Sequence, residues 1–160
     1  MQRIAIIMGS ESDLETVQGA IDILKEFKAN FAVTVLSAHR TPKELARFVE
    51  ESTKKGTKVF IAAAGGAAAL AGVVAAHTTL PVIGIPIETK SLRGLDSLLS
   101  TVQMPAGIPV ASMAIGSAGA KNAALFALEI LGAFDAKTAG RLKKYKQDMR
   151  AKILKTRPKA

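Results

Sequence analysis

Short apolar runs alternate with segments of helical periodicity along the whole chain. Five runs read as strands: Arg3–Met8, Phe31–Ala38, Val59–Ala64, Pro81–Ile87 and Pro109–Ile115. After the first, Leu14, Val17, Ile21, Leu24 and Phe27 recur on one helical face, and Ser12-Asp13-Leu14-Glu15 fits a capping box. A second helix opens at Thr41-Pro42-Lys43-Glu44, with an N-cap, proline at the first helical position and an acid at the third. It stops at Gly56. Further helices are predicted over 66–77, 94–103, 117–133 and 138–155. Strands alternating with helices indicate a parallel sheet covered on both faces. At this chain length the flavodoxin-like order 2-1-3-4-5 is the expected topology. Without a repeat or a linker, the chain is expected to form one domain over 1–160, a core at 3–135 followed by a helix-forming extension at 136–160.

One stretch tests the soluble reading. Val59 to Ile87 contains no Lys, Arg, Asp or Glu, long enough to nominate a membrane span. Its residues are mostly Ala and Gly, and Pro81 and Pro86 interrupt it. It parses better as a strand, a Gly65-Gly66 turn, a helix and a second strand. That helix has no charged face, and 120–134 is also mostly apolar. Both features predict burial between subunits, so the chain is expected to be a homo-oligomer. The opening MQRIAIIMGS has too short an apolar run for a signal peptide, and a cytoplasmic location is expected.

Charge changes the picture at one end only. The formal net charge is +9. Residues 1–135 carry equal numbers of acids and bases, so the excess lies in 136–160, where Asp148 is the one acid. Such a tail could meet nucleic acid or an anionic membrane. It also carries Leu142, Tyr145, Met149 and Ile153 at helical spacing, and Tyr145 is its one aromatic residue. A packed helix with solvated lysines therefore fits better than a single-strand binder. Neither nucleic acid nor a membrane is expected as partner.

With no cysteine and only His39 and His77, thiolate chemistry is excluded and a multi-histidine metal site is not expected. No cofactor is expected. Three segments fall at predicted strand ends, where ligands bind such sheets: Met8-Gly9-Ser10-Glu11-Ser12-Asp13, Ser37-Ala38-His39-Arg40-Thr41-Pro42 and Ala64-Gly65-Gly66-Ala67-Ala68. Each leads into a helix N-terminus, which favours an anion. None matches a dinucleotide fingerprint or a P-loop. Ser10, Ser12 and Asp13 also suit ordinary helix capping, and Gly65-Gly66 a plain turn. His39-Arg40 stands out, because an imidazole can give and take a proton near neutral pH and a guanidinium can grip a phosphate. His77 reads as a helix-terminal residue without chemistry. Asp96 reads as a helix N-cap in preference to a substrate contact.

These residues also carry a resemblance. MGSESD at 8–13, SAHRTP at 37–42, AGGAA at 64–68, LPVIGIPI at 80–87, GLDSLLSTVQMP at 94–105 and IPVASMAIGSAGAKNA at 108–123 closely resemble the class I N5-carboxyaminoimidazole ribonucleotide mutases of purine biosynthesis. The likeness runs over roughly 3–135. The related class that carboxylates aminoimidazole ribonucleotide directly with CO2 tends to read SAHK and AGRSN at two of these places. The resemblance implies a three-layer α/β/α sandwich, a homo-octamer, and transfer of a carboxylate from an exocyclic nitrogen to ring carbon 4 without cofactor or metal. It implies His39 as proton shuttle and Ser10, Asp13 and Arg40 as ligands of the ribose phosphate portion. Ser12 and Ser37 would lie nearby, with Gly65, Gly66, Ala67 and Leu70 also against the substrate.

The chain departs from the family pattern GGAAHLPGM, placing Ala69, Ala71 and Val73 where that pattern has histidine, proline and methionine. Either the lost histidine is dispensable, or the chain is an impaired or non-catalytic ribonucleotide-binding homologue. Two rival readings come from other classes: a nucleotide-phosphate binding module, and a nucleic-acid binder acting through 136–160.

Overall fold

The computed structural model describes residues 3–156. They form two compact units that join in sequence at Ala127–Leu128. The first unit holds a five-stranded sheet of order 2-1-3-4-5, every neighbouring pair parallel. Its strands are β1 (Ile4–Met8), β2 (Phe31–Val35), β3 (Val59–Ala64), β4 (Val82–Pro86) and β5 (Ala111–Ser112). Helices α1 (Leu14–Glu26), α2 (Pro42–Lys54), α3 (Leu70–Ala76) and α4 (Leu95–Val102) connect them in turn. Helix α5 (Ser117–Gly132) begins in this unit, and α6 (Ala136–Lys155) lies wholly in the second. The expected fold class and strand order are both observed.

The sheet is held by burial on both faces. All residues of β1 and β4 are buried, as are the first five of β3, which is why these strands read as unbroken apolar runs. On one face Ala5, Ile7, Phe60, Ala62 and Val82 pack with Leu45 and Val49 of α2 and Leu70 and Val74 of α3. At an edge of the sheet, β2 leaves Val33 and Val35 partly exposed.

Several boundaries move inward from the predicted ones, for local reasons. Strand β2 ends at Val35 rather than Ala38, because the Ser37 hydroxyl accepts the N–H groups of His39 and Arg40 and turns the chain. The helix predicted from 66 starts at Leu70. Gly66 has a left-handed φ of 67°, and Ala68 and Ala69 donate to carbonyls only two residues back. The capping box belongs to Ser10 and Asp13 around a single 3-10 turn, not to Ser12 and Glu15. Thr41 precedes α2 without capping it, since its hydroxyl bonds the Ser37 backbone instead.

No helix among the described residues is long and apolar enough to cross a membrane. In the second unit, Asp135 caps α6 through the Thr138 N–H at 3.1 Å, and Lys146 pairs with Glu129 at 2.8 Å. The tail's apolar stripe starts buried at Leu142 and ends exposed at Met149 and Ile153. Residues 157–160 of the expected basic extension lie outside the described residues.

Helix α4 lies so close to β4 that a Cβ on Gly84 would stand 2.3 Å from Thr101 Cγ2. Only glycine allows this approach. Gly84→Ala is expected to lower stability by about 1–3 kcal/mol through overpacking. Urea unfolding checks this, and an unchanged midpoint would show that α4 moves aside freely.

Candidate active site

In a parallel sheet every strand delivers its carboxyl end to the same edge, and in an open α/β fold that edge is where ligands bind. Here a cavity of about 370 Å³ opens where the loops after β1, β2 and β3 meet. Each loop brings different chemistry.

The first loop supplies a buried acid. The Ser10 N–H donates to Asp13 Oδ2 at 3.0 Å, while the Ser12 hydroxyl donates to Ser10 Oγ at 2.9 Å. Asp13 is buried. Burial pushes its carboxyl above the ordinary aspartate value, and the Ser10 N–H and the Arg40 guanidinium offset only part of that push.

The second loop supplies the imidazole and a cation, both exposed. Ser37 Oγ accepts from the His39 N–H at 3.3 Å, the Arg40 N–H at 3.2 Å and Arg40 Nε at 3.4 Å. Arg40 Nη2 donates to the Gly9 carbonyl at 2.9 Å, tying the second loop to the first. The guanidinium is therefore fixed by neutral acceptors, and its remaining N–H donors are open to an anion. No hydrogen bond holds the His39 ring among the described residues, so the imidazole is free to serve a ligand.

The third loop supplies backbone and small side chains: Ala64, Gly65, Ala67, Ala69 and Leu70 line the cavity. Gly66 sits behind it, its N–H donating to Ser97 Oγ at 2.9 Å. Ser97 is fully buried on α4, and its own hydroxyl proton goes to the Ile87 carbonyl at 2.7 Å.

The structure thus brings Ser10, Asp13, Ser37, His39, Arg40, Gly65, Ala67 and Leu70 around one cavity. Ser12 and Gly66 stand outside its lining, one bonded to Ser10 and the other to Ser97. Asp96 corrects an expectation. The cap position of α4 is Gly94, at φ 86°, and the Asp96 carboxylate accepts the Thr89 hydroxyl at 2.8 Å. Ser97 escaped sequence reasoning, although it sits one turn from Thr101 as two buried polar residues on one helix. His77 ends α3, as expected, and borders a larger cavity of about 850 Å³ at the opposite end of the sheet. Among the described residues no three acidic or histidine side chains gather as a metal site would require.

Comparison with known proteins matches residues 3–152 to a family described as AIR carboxylase. A Saccharolobus solfataricus N5-carboxyaminoimidazole ribonucleotide mutase is 52% identical over 160 residues, the full length of both chains. A Bacillus subtilis protein of the same name is 50% identical over 153 residues, 96% of this chain and 94% of that one. The crystal structure of Treponema denticola PurE superimposes with a TM-score of 0.87 at 30% identity, covering 96% of this chain and 95% of that one.

Asp13 yields a test with a definite sign. Its raised value means that the folded state holds the proton more tightly than the unfolded state does. Stability therefore falls as pH rises from the ordinary aspartate range through the raised value. Asparagine keeps an acceptor for the Ser10 N–H but never ionises. Asp13→Asn should melt higher than the native chain at neutral pH, with the gap closing in acid. A lower melting temperature at neutral pH would contradict this.

Proposed function

The chain belongs to the AIR carboxylase family, and we infer that it converts N5-carboxyaminoimidazole ribonucleotide to 4-carboxy-5-aminoimidazole ribonucleotide in purine biosynthesis. It is accordingly an isomerase. The observation that carries this reading is the meeting of one imidazole, one anchored guanidinium and one buried carboxyl group around a single cavity. The names of the full-length relatives supply the substrate.

The substrate's ribose phosphate portion fits the polar side of the cavity. Arg40 offers charge-assisted donors to the phosphate. Ser10, Ser12 and Ser37 offer hydroxyls, and the helix starts at Ser10 and Pro42 add the positive ends of backbone dipoles. Asp13 accepts a ribose or ring N–H or O–H donor. The heterocycle then lies between His39 and the loop of Gly65, Gly66, Ala67 and Leu70.

The reaction runs in two halves with one acid–base group. As the bond between the exocyclic nitrogen and its carboxylate breaks, the electron pair returns to nitrogen and protonated His39 supplies the proton there. CO2 is released inside the cavity. Ring carbon 4 attacks it, forming the new carbon–carbon bond. Neutral His39 then removes the proton from carbon 4, restoring the aromatic ring and its own starting state. No proton is gained or lost overall. Holding CO2 against the ring makes recapture effectively intramolecular. Ala69 brings only a methyl group to the cavity, so this scheme asks for no second imidazole.

The same reading includes a homo-octamer in the cytoplasm. Leu95, Leu99 and Val102 on α4 and the exposed end of the α6 stripe supply apolar surface for subunit contacts.

Product formation, followed by absorbance of the carboxylated imidazole, is expected for the native chain. Its absence would remove the functional reading. His39→Asn should lower kcat by about 10²–10⁴-fold, the usual worth of a positioned acid–base group. Turnover near the native rate would end the assignment. Arg40→Ala should mainly raise KM, by roughly tenfold or more, as befits a lost charge-assisted hydrogen bond. A change in kcat alone would place Arg40 elsewhere in the scheme.

A further inference from the structure

Retention of CO2 depends on where the third loop stands, and the structure shows what fixes it. Ile87, just past β4, donates its N–H to the Ala64 carbonyl at 2.9 Å. The second stitch between these segments is a side chain. Ser97 Oγ donates to the Ile87 carbonyl at 2.7 Å and accepts the Gly66 N–H at 2.9 Å. The hydroxyl has one proton, so its two bonds have fixed polarity. It is fully buried, so water cannot take its place without a rearrangement. The loop is tight on its inner side, where a Cβ on Gly65 would stand 3.3 Å from Thr89 Cγ2. On the other side a Cβ on Gly66 would meet nothing within 4 Å. Packing therefore restrains the loop at Gly65 but leaves open the side that a Gly66 Cβ would occupy. The Gly66 peptide is instead tied to α4, by its N–H to Ser97 Oγ at 2.9 Å and, at greater length, by its carbonyl to the exposed Ser100 hydroxyl at 3.4 Å.

The platform beneath Ser97 is stiff. Thr101 donates to the Ser97 carbonyl at 2.7 Å and lies against Gly84 of β4. Asp96 and Thr89 bond each other at 2.8 Å beside it. Helix α4 contributes no lining to the cavity and still sets the height of one wall.

We propose that Ser97 is a positioning residue, whose hydroxyl holds the Gly65–Gly66 loop against the cavity so that released CO2 is recaptured by the ring instead of escaping. This rests on the mutase reading above. Without the Ser97 hydroxyl the Gly66 N–H loses its acceptor, the loop lifts, and the ribose phosphate anchors at Arg40 and Ser10 are untouched.

The test uses the full chain and the carbamate substrate, and measures both the carboxylated product and the free aminoimidazole ribonucleotide left when CO2 escapes. A displaced wall of this kind can cost up to on the order of a hundredfold, and about tenfold is expected in kcat for Ser97→Ala. KM should stay within about twofold. Free aminoimidazole ribonucleotide should appear as a by-product well above the native level. Ser97→Cys, whose thiol is a weak donor and acceptor, should give an intermediate leak and keeps the test open if the alanine variant does not fold. A variant that loses thermal stability but gives product and by-product in the native ratio would overturn the proposal. So would a loss expressed wholly in KM. Should the native chain itself form no product, the functional reading fails before any variant is compared, which separates the two failures.

Discussion

A parallel sheet forces all its strands to finish on one edge, and each must then turn into a helix. That constraint organises this molecule. The turn after β1 carries Ser10 and the buried Asp13, and the turn after β2 carries His39 and Arg40. The turn after β3 contributes a thin wall of glycine and alanine. Arg40 ties the first two turns together through the Gly9 carbonyl, and Ser97 ties the third to the end of β4. The cavity exists because these three turns are held at fixed spacing by a sheet whose inner strands β1, β3 and β4 are buried on both faces.

Asp13 shows what the site demands of the fold. A carboxyl group pushed upward by burial is a destabilising element at neutral pH. A neutral amide could close the same turn with less penalty. The acid is therefore better explained by the ligand than by the loop, in the way that strained or desolvated groups collect at functional sites. Arg40 has the complementary character, an exposed cation held by uncharged oxygens and so kept available.

The sheet order was legible in the sequence because five apolar runs separated by amphipathic helices admit few topologies. His39 and Arg40 were legible because they stand between an apolar run and a helix that opens on proline, even though the strand itself stops at Val35. The capping box was not, since SESDLE at 10–15 offers both Ser10 with Asp13 and Ser12 with Glu15, and only tertiary burial of Asp13 chooses between them. The late start of α3 depends on a left-handed Gly66 bonded to a helix thirty-one residues away, which no local pattern records. Ser97 was hidden for the same reason, because a serine inside a helix carries little signal until its partners are known.

The reaction proposed here has one carboxylate leave nitrogen and rejoin carbon within a single cavity. Substrate labelled with ¹³C in the carbamate carboxylate, turned over in unlabelled bicarbonate buffer, tests it directly. The account predicts that the product keeps the label. Product carrying an unlabelled carboxylate would mean that CO2 is drawn from solution, and would contradict it.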